Sequence, residues 1–572
     1  MIISSLKKLS IIINKNLRFL ILSVFVCSIF SVFFETLSIG MVIPMISALT
    51  EPDYVNNIPI LGNLSKYLIN QNNNGSAIFS ILIILSIIFS LKIIFVFLST
   101  YLKLQLIHRF NSDIQQKLYK KYINLSWVEY LEKKSSKMIR NIQNETSIVK
   151  NKIVDALIII FVETLLFISI FTLLLFTIPK FTLLIVFTII LIGGIFYKNS
   201  RDKIRYHASI RLSAGAKIFN YIIESLTSFK DILIYNKQDF FRNKFNIQNL
   251  IYHNSQKKLG LLNSYPRIFL EALGYISVIC IIYFSIISEI TTSQLLTTLG
   301  LFIIAVSRLI PSISRLITAI QNLNEGQIAL EVIYEEISEN NIKEDKSLTE
   351  RSNVKFDNNI CLKNISFKYP NSKNFVLENV NLKIKKFSTN AIYGVSGSGK
   401  STLVDIISGL LHQYNGEITI DEKKVHNIKK FWKNSISYVG QKNYLFSETI
   451  AKNIALESED NMINKKKITD ILKICRLEKF NLESKVEEMG KNLSGGESQR
   501  ISIARAMYNE PSFLIFDEAT NSLDKKVEKE ILDLLISLKN KVTIILISHD
   551  TKVVDYCENI YEIKNKTLNK LN

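Results

Sequence analysis

Asn390-Ala391-Ile392-Tyr393 is a short apolar run that breaks into Gly394-Val395-Ser396-Gly397-Ser398-Gly399-Lys400-Ser401 and continues as Thr402-Leu403-Val404-Asp405-Ile406-Ile407. The order is strand, glycine-rich loop, helix. Glycines in such a loop let backbone N–H groups converge on phosphate oxygens, the lysine neutralises the β/γ charge, and the hydroxyl of Ser401 can ligate Mg2+. Gly394, Ser396, Gly397, Ser398, Gly399, Lys400, Ser401 and Thr402 are therefore the candidate ATP contacts. Further on, Phe513-Leu514-Ile515-Phe516-Asp517-Glu518 is an apolar strand that ends in two carboxylates. Asp517 is placed as a magnesium partner, and Glu518 as a general base that polarises the attacking water. The C-terminal part of the chain is expected to be an α/β P-loop domain.

Leu493-Ser494-Gly495-Gly496-Glu497 resembles the signature loop of ATP-binding-cassette (ABC) proteins. The resemblance extends along the chain and implies further roles at matching positions. Tyr369 matches the aromatic residue that stacks on adenine. Gln441 in Tyr438-Val439-Gly440-Gln441 matches the glutamine that approaches magnesium and senses the membrane domain, although the family more often has proline at 440. Ser494, Gly495 and Gly496 match the signature contacts, where the N-terminal dipole of the following helix faces the γ-phosphate of an opposing subunit. Asp524 matches the D-loop aspartate, within a departure from the usual pattern at Asn521-Ser522-Leu523-Asp524. His549, after the strand from Val542 to Ser548, matches the switch histidine. All hydrolytic positions are filled, so the resemblance implies a symmetric homodimer in which each signature loop completes the other chain's site. The catalytic set is Glu518, His549 and Gln441, the metal set Ser401, Gln441 and Asp517, and the cofactors ATP and Mg2+.

Upstream, the character of the sequence changes. The chain has 572 residues and a net charge of +20. Apolar runs between Leu17 and about Asn322 alternate with basic segments, with Lys103, Arg109, Lys117, Lys120, Lys121, Lys133, Lys134, Lys137 and Arg140 in one, and Lys198, Arg201, Lys203, Arg205 and Arg211 in another. This is the positive-inside pattern of a membrane protein. No basic stripe is interleaved with aromatics on a soluble element, which excludes nucleic acid as a partner. The five cysteines have no metal-ligand spacing. The first apolar run is too long for a cleavable signal and reads as a retained anchor.

A bilayer core of about 30 Å takes about 20 apolar residues per helix. Spans are expected at 18–49, 77–102, 156–178, 181–200, 265–288 and 293–320. An even number of crossings and the Lys/Arg bias place the N-terminus, both long connections and the cassette on the cytoplasmic side of a bacterial inner membrane. The connections at 103–155 and 201–262 read as helical extensions. Ile58, Leu61, Leu64 and Leu68 recur at helical spacing in the first outer loop, as a helix on the outer leaflet or as a packed loop helix. The domains are then a six-helix transmembrane domain at 1–325, a linker at 326–353 and the cassette at 354–572.

Charges inside spans are costly and usually functional. At about 1.5 Å per residue, Lys92 lies about 22 Å from the outer end of its span and Arg308 at a similar depth. Arg267 and Arg315 lie nearer the cytoplasmic face, where snorkelling explains them equally well; Arg267 can also pair with Glu271. Together the four would form a basic patch suited to pyrophosphate. Phe34-Glu35-Thr36-Leu37-Ser38-Ile39-Gly40-Met41-Val42-Ile43-Pro44, Pro266-Arg267-Ile268-Phe269-Leu270-Glu271-Ala272-Leu273-Gly274 and Ser307-Arg308-Leu309-Ile310-Pro311-Ser312 resemble bacterial lipid-linked oligosaccharide flippases of the PglK type. That resemblance implies ATP-driven flipping of an undecaprenyl-pyrophosphate glycan through membrane lipid for protein glycosylation. The alternative is export of another amphiphile: lipid A, a drug or a peptide.

Overall fold

The computed structural model describes residues 2–50, 74–177, 179–287, 292–338, 356–370, 372–412, 414–425, 428, 432, 435–441, 443–457, 459–487, 490–519, 525–549 and 554–571. The expected outer-loop helix, the 178 and 288–291 turn residues, most of the linker, and Asp524 lie outside them. The chain forms two compact units: residues 1–125 with 132–342, and residues 343–572 with the short segment Ser126–Leu131.

The first unit is helical. Its elements are α1 (Ile2–Ile12), α2 (Arg18–Gly40), α3 (Val42–Thr50), α4 (Asn74–Ile123), α6 (Ser135–Arg140), α7 (Thr146–Val149), α8 (Asp155–Thr177), α9 (Pro179–Thr227), α10 (Phe229–Ile234), α11 (Gln238–Ile287) and α12 (Thr292–Ser338); α5 (Trp127–Glu132) belongs, but for its last residue, to the second unit. Helices α4, α9 and α11 run for 50, 49 and 50 residues. At about 1.5 Å per residue such a helix is about 75 Å long, more than twice the hydrocarbon thickness. The basic connections are thus largely helical continuations of the spans.

Among the described residues, four helical stretches are long and apolar enough to cross a membrane: Lys15–Ile46, Leu82–Ile123, Ser135–Thr177 and Leu299–Ser338. Their outward faces are themselves apolar, as at Ile93, Ile94 and Phe97, all exposed. A helix hydrophobic on its solvent-facing side needs a lipid solvent. The first expected span is not one uninterrupted helix. It breaks at Met41, where α2 ends and α3 begins. Pro44 then falls in the first turn of α3, where a missing N–H costs nothing. Polar pairs cross-link the polar ends of the helices; Glu336 of α12 lies 3.6 Å from Lys121 and 3.0 Å from Lys133.

The second unit is α/β. An antiparallel sheet runs in the order β2-β1-β4-β5, from β1 (Asn359–Phe367), β2 (Leu377–Lys385), β4 (Asn415–Ile420) and β5 (Lys423–Lys424). The larger sheet runs β10-β9-β3-β8-β7-β6, from β3 (Thr389–Tyr393), β6 (Ile436–Val439), β7 (Phe513–Asp517), β8 (Thr543–Ser548), β9 (Asn559–Lys564) and β10 (Thr567–Lys570). Strands β9, β3, β8, β7 and β6 are parallel neighbours. β7 and β8 are almost wholly buried, which is why they read as uninterrupted apolar runs. The helices are α13 (Lys400–Ile407), α14 (Ile450–Ala455), α15 (Lys465–Ile474), α16 (Gly495–Tyr508) and α17 (Lys525–Ser537). In register, Tyr393 pairs with Ser548 and Asp517 with Ile547. The loops after β3, β7 and β8 therefore open side by side at the carboxyl edge of the sheet, where α/β folds bind ligands.

Candidate functional site

The loop after β3 is built by its glycines. Gly397 and Gly399 have φ of +80° and +104°, the left-handed region that glycine enters without penalty. A Cβ at Gly394 would come within 2.8 Å of the Ile563 carbonyl oxygen and of Ser398 Oγ. Gly399 caps α13, so the loop's amides lead into a helix N-terminus. Lys400 is only 5% exposed. Its Nζ donates to the Gly394 and Val395 carbonyls at 2.8 and 3.1 Å. Ser398 Oγ is buried in the loop with no hydrogen-bond partner among the described residues.

Glu518 gathers the remaining polar groups. Its carboxylate lies 3.7 Å from Lys400 Nζ and 3.7 Å from His549 Nδ1, and accepts from Gln441 Nε2 at 3.3 Å. The candidate base is thus at the junction of the three parallel-strand loops. Glu518 has φ +48°, a strained setting for a non-glycine residue that sites of chemistry often retain. Its N–H donates to the Ile547 carbonyl at 3.1 Å, fixing the turn to β8. Asp517 beside it is pushed up from the usual carboxylate range, chiefly by burial, while a hydrogen bond from Tyr438 opposes the shift.

That tyrosine was not singled out by the sequence. Tyr438 Oη donates to Asp517 Oδ2 at 2.9 Å, and burial next to Asp517 pushes its phenol well above the ordinary value. The ring folds back over Gly440, where an added Cβ would lie 3.0 Å from Tyr438 Cε1. The glycine at 440, where the family more often has proline, and the tyrosine at 438 therefore belong together. Tyr369 packs edge-to-face on Phe367 at 5.0 Å, and its hydroxyl is 3.3 Å from Thr402 Oγ1.

The Leu493–Glu497 stretch forms the start of α16. Ser494 Oγ accepts from the Glu497 N–H, and the Glu497 side chain accepts from the Ser494 N–H at 2.7 Å, a reciprocal capping box. Lys479 also bonds Glu497, and these bonds hold its carboxyl down at about 2. Gly495 and Gly496 follow as the first helical residues. Near the other end of α16, Arg505 donates to the Asn453 and Tyr444 carbonyls at 2.7 and 3.0 Å. This ties the signature helix to α14 and to the segment that follows Gln441.

A second feature with little sequence signal is Trp127 of α5. Its Nε1 donates to Asp405 Oδ2 on α13 at 3.2 Å, and Trp127 and Val128 pack against the core of the cassette unit. Six residues from the middle of a basic connection thus belong to the cassette's compact unit. Burial pushes the Asp405 carboxyl up to about 6; the Trp127 hydrogen bond opposes that shift and the nearby Asp517 charge adds to it.

Comparison with known proteins matches residues 377–521 to the ABC transporter family and residues 54–309 to the ABC transporter transmembrane region. The chain is an ABC exporter half-transporter. It is 28% identical over 87% of its length to the lactococcin-G-processing and transport ATP-binding protein LagD of Lactococcus lactis subsp. lactis, covering 71% of that protein. It is 26% identical over 78% of its length to an ATP-dependent lipid A-core flippase of Nitrosococcus oceani, covering 75% of it. Its fold superposes with a TM-score of 0.75 on a bacterial Atm1-family ABC exporter with ATP bound, at 16% identity and covering 97% of this chain and 95% of the other. The exporter accordingly spans the membrane and carries an ATP-hydrolysing cassette.

The cassette suits ATP and Mg2+. Gly394 and Gly399 leave room that a side chain would fill, and Ser398 Oγ lacks a partner within the loop. Among the described residues no group of three or more His, Cys, Asp or Glu could hold a metal alone. Mg2+ fits such a setting, because it takes one or two protein oxygens and completes its shell with phosphate and water. Asp517 and Ser401, with the Gln441 amide, would hold it. When bound, it supplies positive charge to the phosphoryl oxygens.

In the membrane unit, the structure brings Lys92 and Arg308 together, but not as uncompensated charge. Lys92 Nζ and Arg308 Nε lie 3.5 and 3.2 Å from the same oxygen, Oε1 of Glu35. Arg315 bonds both carboxylate oxygens of Glu163, at 3.2 Å for its Nη2. Arg267 is exposed and donates to Glu271 at 2.8 Å. In the described chain the four cations of the expected basic patch each face a glutamate, because each span that carries one of the arginines also faces or contains a glutamate.

Proposed function

We propose that the amphiphile moved by this exporter is a polyprenyl-pyrophosphate-linked oligosaccharide, flipped across a bacterial inner membrane for protein glycosylation. The observation that carries this reading is the sharing of Glu35 by Lys92 and Arg308. Among the described residues, two cations on one carboxylate leave one positive charge over, within a span. A pyrophosphate would offer Arg308 bidentate oxygens and compete with Glu35 for both cations. Arg308 is half-exposed in the chain as described, so its guanidinium is accessible to a ligand. Arg315 and Arg267 would guide the headgroup from the cytoplasmic side.

ATP supplies the drive through a homodimer with two equivalent sites. In each site Lys400, Ser401, Thr402 and the Gly394–Gly399 loop hold the phosphates and Tyr369 stacks on the base. Glu518 acts as general base, assisted by Gln441 and His549. Ser494, Gly495, Gly496 and Asp524 of the opposite chain close the site. The N-terminus and cassette lie on the cytoplasmic side, in keeping with the Lys/Arg bias.

Purified exporter in lipid vesicles tests the cargo. Lipid-linked glycan is expected to stimulate ATP hydrolysis and to be flipped, with Arg308→Gln lowering the stimulation by about tenfold. A second reading, a lipid A-core glycolipid, is favoured by the similarity to the lipid A-core flippase of Nitrosococcus oceani. Stimulation by that glycolipid, with none by lipid-linked glycan, would replace the first reading by the second.

A further inference from the structure

Between α6 and α8 the helix widens twice, at Asn141–Glu145 and at Lys150–Val154, each a π-helical turn. Such turns are rare and frequent at functional sites, because the extra residue re-aims the side chains around it. Both widened turns border a cavity of about 300 Å³, which α9 and α11 close from the other side. The volume is at the lower end of small-molecule sites.

The charge in and behind this cavity is unusual. Arg140, Lys152 and Arg211 line it, as does Glu145. Arg211 and Lys152 share Glu325, with Lys152 Nζ 3.4 Å away. Arg140 Nε lies 3.3 Å from Glu145 Oε1. Among the described residues three cations thus face two carboxylates, and the surplus is positive. Glu145 has a side chain only 1% exposed, yet among the described residues its Oε2 has no hydrogen-bond partner. A buried carboxylate oxygen without a donor costs free energy that a purely structural network would avoid.

We propose that this cavity binds a small soluble oxyanion that also carries an N–H or O–H donor. The oxyanion meets the guanidinium groups of Arg140 and Arg211, whose planar forks suit carboxylate and phosphate alike. Glu145 Oε2 is covered in the structure, so the Glu145 side chain turns into the cavity to accept from the donor. Two kinds of solute have this chemistry: an acid phosphate and an amino-acid zwitterion. A ligand seated here bridges α9, α11 and the widened turns, and stabilises that arrangement by mass action.

The test is calorimetric titration of the full-length exporter in nanodiscs, in a Lys400→Ala background so that phosphate cannot report on the nucleotide loop. Sodium phosphate is the probe in one arm and glycine in the other. One saturable site per chain is expected for at least one probe, and which probe binds identifies the source of the oxyanion. Arg140→Gln is expected to weaken that binding by about tenfold or more. Ala216→Met, which fills the cavity from α9 and leaves every ion pair in place, is expected to abolish it. Failure of both probes to saturate at millimolar concentrations overturns the proposal, and so does binding that Ala216→Met leaves unchanged.

Discussion

Glu518 is held in a left-handed turn, with Lys400, Gln441 and His549 around its carboxylate. If it takes the proton from the attacking water, Glu518→Gln will lower phosphate release by about a hundredfold or more while ATP still binds. Hydrolysis at an undiminished rate in that variant would assign the base elsewhere. Tyr438 raises a different question, because its hydroxyl touches Asp517 and not the nucleotide loop. If Asp517 holds Mg2+, a hydrogen bond to it from behind fixes the lone pairs that would face the ion. Tyr438→Phe is expected to raise the Mg2+ concentration for half-maximal hydrolysis by about tenfold, with the maximal rate recovered at high Mg2+. A magnesium profile identical to that of the unaltered chain would reduce Tyr438 to a packing role. Most of this site was legible, since Gly394–Ser401 and Asp517–Glu518 are local patterns whose chemistry depends on neighbours in sequence. Tyr438 was not, because its importance comes from a contact across β6 and β7 that no spacing encodes.

At the scale of elements, four of the six expected spans coincide with helices long and apolar enough to cross a membrane among the described residues, and the basic connections are largely helical, whereas α5 left almost no trace. Six residues are too few to show a period, and only the tryptophan at 127 marks the place where that segment joins the cassette core. The two π-helical turns were equally hidden, because one extra residue per turn shifts the pattern too little to be seen in a mostly helical sequence. The contact between α5 and α13 makes a pH prediction. The Asp405 carboxyl rises from 3.8 to about 6 on folding, so the folded state binds this proton more tightly than the unfolded state does. Stability then falls as pH rises through that window and stays lower above it. Asp405→Asn keeps an acceptor for Trp127 and removes the charge. Relative to the unaltered chain it is expected to gain thermal stability at pH 7.5 and to gain about half as much at pH 5, measured by the unfolding temperature of the solubilised exporter. Parallel unfolding of the two proteins across that range would show that burial of Asp405 carries no cost.

For the whole molecule, one chain gathers Lys400, Gln441 and His549 around Glu518 and presents Ser494, Gly495 and Gly496 at the tip of a capped helix. The charge of Glu497 and its bonds to Ser494 and Lys479 keep that tip rigid, as suits a surface that closes on another subunit. A symmetric pair of chains can exchange such tips, so that each site takes its nucleotide loop from one copy and its signature from the other. The consequence can be measured by mixing two inactive chains. Lys400→Ala disables the loop and Ser494→Arg disables the signature, and each alone should be inactive as a homodimer. Random pairing of equal amounts makes about half of the dimers mixed. In a mixed dimer both lesions fall in one site, and the other site combines an intact loop with an intact signature. ATP hydrolysis is therefore expected to reappear on co-reconstitution, at up to about a quarter of the unaltered rate, since half of the dimers then hold one of two sites. Mixtures shown by tandem affinity capture to contain mixed dimers, yet still inactive, would mean that the sites do not work as exchanged halves that turn over independently.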